Sequence, residues 1–110
     1  MSELAKRAVA CRHWRWMPGM LDEHGNRYVA EGRYPRRSVL PDLTDPATLG
    51  ALLALVREAW GDDRVSSVAN TVYGTRMILM PDDAAPEGER LIGCSTTEAE
   101  ALVIALEAAP

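Results

Sequence analysis

The most regular pattern in the chain lies between residues 45 and 61, where Leu49, Leu52, Leu53, Val56, Ala59 and Trp60 recur three, four and seven positions apart. That spacing gathers the apolar side chains on one stripe of a helix. The ends are marked as well. Asp45 can accept backbone N–H bonds as N-cap, Pro46 suits a first turn whose N–H groups have no intrahelical partner, and Gly61 suits a left-handed exit. Trp60 falls on the apolar stripe and therefore reads as a core residue, not a binding platform. A second helix is predicted from about Thr97 to Ala108, with Ala99, Leu102, Val103 and Leu106 in the same spacing. Two capping boxes compete for its start, Ser95 with Glu98 and Thr97 with Glu100. Its many alanines would let a sheet or another helix approach closely. A shorter helix capped by Ser2, with Leu4, Ala5, Ala8 and Val9 on its face, should end near Cys11, because Arg12 would fall on that same face.

Strand signals fill the intervals. From His13 to Met17 the chain alternates, Trp14 and Trp16 on one side and His13 and Arg15 on the other, as a half-buried strand would, and Pro18-Gly19 closes it. After the turn material His24-Gly25-Asn26, residues Asn26 to Glu31 form a second candidate strand containing Tyr28 and Ala30. Residues 32–44, with Gly32, Pro35 and Pro41, read as an irregular crossing. Val65 to Tyr73 and Arg76 to Met80 are two more strands; Gly74-Thr75 fits a two-residue hairpin turn, and a break at Ala69-Asn70 is the alternative register. Pro81 to Arg90 reads as an exposed acidic loop, and Leu91-Ile92-Gly93-Cys94 as a last short strand. The expected architecture is one α+β domain spanning residues 1–110, an antiparallel sheet covered by about three helices in the order α-β-β-α-β-β-β-α.

Composition narrows the class. With 110 residues, 47% hydrophobic and 25% charged, the chain matches an ordinary soluble domain and not a disordered or disulfide-framework protein. Two cysteines, Cys11 and Cys94, are too few for a stapled scaffold and fit free thiols in a reducing cytoplasm. Met1 to Ala10 lacks the continuous apolar core of a signal peptide, and no apolar run is longer than Ala51 to Val56, which is far short of a membrane span. No membrane partner is expected. The net charge of −4 argues against a simple cationic nucleic-acid binder, but it is unevenly spread. Residues 1–40 hold eight Lys/Arg against four Asp/Glu, and residues 41–110 hold four against twelve. Such asymmetry favours a polar partner surface.

No catalytic constellation is visible: there is no Gly-x-Ser-x-Gly elbow, no phosphate-cradling glycine loop and no His-Glu-x-x-His. His13, His24, Cys11 and Cys94 lack the paired spacing of a zinc site, and Asp62-Asp63 and Asp82-Asp83 lack that of a calcium loop. Neither a metal nor a cofactor is expected. The two aspartate pairs, with Glu87 and Glu89, could instead line one end of the domain and mimic a polyanion toward a basic partner. Opposite in sign are Arg12-His13-Trp14-Arg15-Trp16 and Arg33-Tyr34-Pro35-Arg36-Arg37. Arginine pairs with phosphate and aromatic rings stack on bases, so Arg15, Arg33, Tyr34, Arg36 and Arg37 form a candidate nucleic-acid surface, or equally an arginine-rich protein-binding edge.

Several stretches are similar to small phage- and prophage-encoded proteins of uncharacterised function and more distantly resemble the phage ABA-sandwich domain family. They are Arg12 to Met20, Pro41 to Gly50, Leu55 to Gly61 and Thr97 to Leu102. The resemblance rests on caps and core faces, so it implies a fold and a mobile-element origin but carries no catalytic residue. With it, the expected function is non-enzymatic: binding of a bacterial host protein or nucleoprotein complex, an inhibitor of a CRISPR-type defence nuclease being the specific form. A small nucleic-acid-binding regulator is the alternative, and a homodimer is compatible with either.

Overall fold

The capped segment forms the helix its signals require. In a computed structural model, which describes residues 2–29, 39–82, 84 and 88–110, α1 spans Ser2–Ala10 and α2 spans Pro46–Trp60. The Asp45 side chain accepts from the Thr48 N–H, Pro46 occupies the first turn, and Gly61 exits at φ 66°. Leu52, Leu55 and Val56 are the buried apolar residues of α2, with Leu49, Leu53, Ala59 and Trp60 half-buried at the margin. Leu4, Ala5 and Ala8 bury the inner face of α1, whose expected Ser2 cap lies outside the described side chains.

Three strands follow, β1 (Ser66–Asn70), β2 (Thr75–Pro81) and β3 (Glu89–Ser95), then α3 (Glu98–Ala108). The sheet is antiparallel in the order β1-β2-β3. Three helices and an antiparallel sheet make this an α+β fold, in which α3 lies on the sheet and α1 and α2 pack on α3. Thr97 is the N-cap of α3, accepting from the Glu100 N–H, which decides between the two candidate boxes. α3 is the centre of the molecule. Ala101, Leu102, Val103, Ala105 and Leu106 are all inaccessible, because α3 packs on β3 and β2 on one side and on α2 and α1 on the other. Close approach to the sheet depends on small residues. A Cβ built on Gly93 would stand 2.4 Å from the Ala101 carbonyl oxygen and 3.0 Å from the Ala105 Cβ.

Four expectations are corrected. His13 to Met17 is not a strand: the chain turns through Cys11 and His13, and no ladder forms there among the described residues. Trp14 and Trp16 do meet, both half-buried with rings edge to face at 5.7 Å, but His13, expected on the outer side with Arg15, is half-buried as well, and the backbone has no strand partner among the described residues. The segment expected as the second strand makes only an isolated bridge, Leu21 with Arg27, and its residues 30 and 31 lie outside the described residues. Around that bridge Gly19 N–H donates to Tyr28 O and Tyr28 N–H to Met20 O, and Leu21 N–H donates to the fully buried Thr48 hydroxyl, docking this ladder on the first turn of α2. The β1–β2 turn holds four residues, 71–74, not two. Asn70 Oδ1 accepts from the Val72 and Tyr73 N–H groups, which ends β1 earlier than Tyr73, and Gly74 at φ 64° brings the chain back. Finally, Glu89 and Arg90 belong to β3, so the acidic loop is confined to residues 82–88.

Candidate functional site

The register of the sheet decides which charged residues meet. Ser66 pairs with Leu79 and Pro81 with Glu89, so the turn before β1 and the loop joining β2 to β3 leave the sheet at the same end. Asp62, Asp63, Asp82 and Glu89 are thereby gathered at that end; Asp83 and Glu87 lie outside the described residues.

These carboxylates are not equivalent. Asp62 accepts from Arg64 Nε and Nη2, each at 3.1 Å, and from the Arg64 backbone N–H at 2.8 Å. The Arg64 side chain first and its backbone second hold the Asp62 carboxyl below its ordinary pKa. This residue closes its own turn. Asp82 Oδ1 accepts from the Ala84 N–H and shapes the loop, but its side chain is exposed, as are those of Asp63 and Glu89. Among the described residues these three take part in no ion pair.

The basic N-terminal cluster has a different employment. α3 carries no basic residue in its last turn, yet its C-terminal carbonyls bear the negative end of the helix dipole. Cationic and neutral donors arrive from the turn after α1. Cys11 Sγ donates to Leu106 O at 3.7 Å and Arg12 Nη2 to Ala109 O at 3.4 Å. His13 Nε2 lies 3.3 Å from both Ala109 O and Arg12 Nε; protonated it donates to the carbonyl, unprotonated it accepts from the guanidinium. Arg15 pairs with Glu58 of α2, and the hydrogen bond between them raises the arginine pKa and lowers that of the carboxyl. Arg12, His13, Arg15 and Glu58 line an open cleft of about 420 Å³. Arg33, Tyr34, Arg36 and Arg37 lie outside the described residues.

The last turn of α2 joins the two clusters. Glu58 holds Arg15, while Trp60, two residues on, donates its indole N–H to Ala105 O and lies 5.2 Å beneath the Arg90 guanidinium of β3. One arginine from the basic first part of the chain, Arg15, thus meets a carboxylate of the acidic second part, Glu58, across 43 residues of sequence. Sequence reasoning missed Arg12 as a donor to the end of α3 and His13 as its neighbour there; the signal was the absence of any Lys, Arg or His near the end of α3. Among the described residues no three of His, Cys, Asp and Glu are grouped to hold a metal ion, and no helix is long and apolar enough to cross a membrane. No family model, curated protein or solved structure matches the chain.

Proposed function

We propose that the chain is a non-enzymatic interaction protein of phage or prophage origin that docks its acidic sheet end on a basic surface of a bacterial host protein or nucleoprotein complex. A CRISPR-type nuclease complex is the specific target considered. The observation that carries this reading is the meeting of Asp63, Asp82 and Glu89 at one end, all exposed and outside any ion pair among the described residues. Carboxylates gathered at one end of a sheet can occupy a channel that otherwise takes phosphates, and their field steers encounter with a cationic surface. Asp62 supports the turn that presents Asp63. The engagement of Arg15 by Glu58 weighs against the nucleic-acid reading, which would need that guanidinium for phosphate.

The test is a cleavage assay with a purified CRISPR-type effector complex, adding the wild-type chain or the triple variant Asp63→Lys, Asp82→Lys, Glu89→Lys, with circular dichroism to verify folding. Inhibition by the wild type that vanishes in the folded variant supports the reading. Failure of the wild type to inhibit removes the nuclease target, and inhibition retained by the variant removes the acidic surface.

A further inference from the structure

The two edges of the sheet are built differently. The outer edge of β3 carries Glu89 and Arg90, and its pairing with β2 is interrupted by a register shift at Ile78/Leu79, features that discourage another strand from adding there. The outer edge of β1, Ser66-Ser67-Val68-Ala69-Asn70, has no charge, no proline and no irregularity. Among the described residues no backbone hydrogen bond reaches it from outside the sheet. Behind this edge lies the sheet face turned away from α3, where Val68 pairs with Met77 and Met77 with Cys94, and Leu79 with Leu91. Val68 and Leu91 on that face are 39% and 53% exposed.

We propose that β1 pairs antiparallel with β1 of a second copy of this chain about a twofold axis at Val68, continuing the sheet from three strands to six. The order of side chains fits a copy of itself. In that register Val68 faces Val68, Ser66 faces Asn70, and Ser67 faces Ala69, so apolar meets apolar on the open face and small meets small on the helix side. The strand is uncharged, and the turns bearing Asp62 and Asp63 fall at opposite ends of the interface, so like charges are kept apart. Each such turn lies instead beside the partner's 71–74 turn, where Val72 and Tyr73 are 82% and 78% exposed. The pairing also joins the two open apolar faces into one.

Sedimentation velocity across a concentration series tests this directly. The expected species has twice the 12.1 kDa chain mass, and Val68→Asp, which sets two carboxylates face to face at the axis, should weaken association at least ~100-fold. Leu91→Asp, on the same face but away from the edge, should leave it within a few-fold. An independent arm removes dependence on the folding of the aspartate variant: Val68→Cys in a Cys11→Ser, Cys94→Ser background should cross-link to a dimer on oxidation, because directly opposed strand residues lie within disulfide reach, whereas Leu91→Cys should not. A monomer at every concentration, a dimer that survives Val68→Asp, or cross-linking at residue 91 in place of 68 would each overturn the proposal.

Discussion

The indole N–H of Trp60, at the end of α2, donates to the carbonyl oxygen of Ala105 in α3 at 2.8 Å. Ala105 is close enough to the end of α3 that its carbonyl lacks the usual bond from four residues on, since Ala109 N–H donates to Leu106 O instead. A tryptophan thus caps a neighbouring helix while its ring supports Arg90. Trp60→Phe keeps most of the apolar contact but orphans the carbonyl, and the expected loss is about 1–2 kcal/mol in urea unfolding followed by far-ultraviolet circular dichroism.

Trp14 is the counterpart. Its indole nitrogen is buried without an acceptor among the described residues, so a donor is already unsatisfied in the folded state. Trp14→Phe removes that donor while keeping a ring against Trp16, and the change in stability should stay within about 1 kcal/mol, well below the effect of a truncation to alanine. A loss as large as that of Trp14→Ala in the same urea titration would refute the assignment.

The contact of β3 with α3 gives a sharper contrast. At Gly93 an added methyl meets a backbone carbonyl that cannot swing aside, so Gly93→Ala should cost about 2 kcal/mol or more by forcing the sheet and helix apart. Gly50, inside α2, is exposed with nothing near its Cβ position, and Gly50→Ala should stabilise by about 0.5–1 kcal/mol through the unfolded chain. The two denaturation midpoints should move in opposite directions.

Acid lability should trace to Asp45. Its carboxyl is held down from 3.8 to about 2, first by the side-chain hydrogen bond from Arg27 and further by bonds from the hydroxyl and N–H of Thr48. Because the folded value lies below the unfolded one, the stabilisation is complete above about pH 4 and is lost as pH falls through 2. Asp45→Ala should therefore be less stable than wild type near pH 7 and converge with it toward pH 2, as read by the urea midpoint at each pH. A constant difference across that window would show that the carboxylate charge is not what matters.

What was legible in the sequence is what local chemistry decides. Asp45, Pro46 and Gly61 bound α2 because capping involves only neighbours along the chain, and Thr97 bounds α3 for the same reason. Alternation from His13 to Met17 put Trp14 and Trp16 on one side but misplaced the half-buried His13 and implied a strand, since pairing needs a partner that no local pattern reveals. Ala101 and Ala105 face the sheet, yet alanine is too small to mark an apolar stripe, so the burial of α3 on its sheet side was hidden. The aspartates were visible as pairs; that residues 62–63 and 82 leave the same sheet end depends on the register of β1 and β2. Arg15 looked available because Glu58, its partner, lies far along the chain.

The position of α3 between the sheet and the other two helices sets the order in which the molecule can be made. During synthesis α1, α2, β2 and β3 leave the ribosome before the one helix that all of them share, and until it emerges their inner surfaces have only each other or solvent. Native packing is therefore a late, collective event, and shortening the chain ahead of Thr97 should leave a collapsed but fluctuating species that binds hydrophobic dyes, not a smaller native fold.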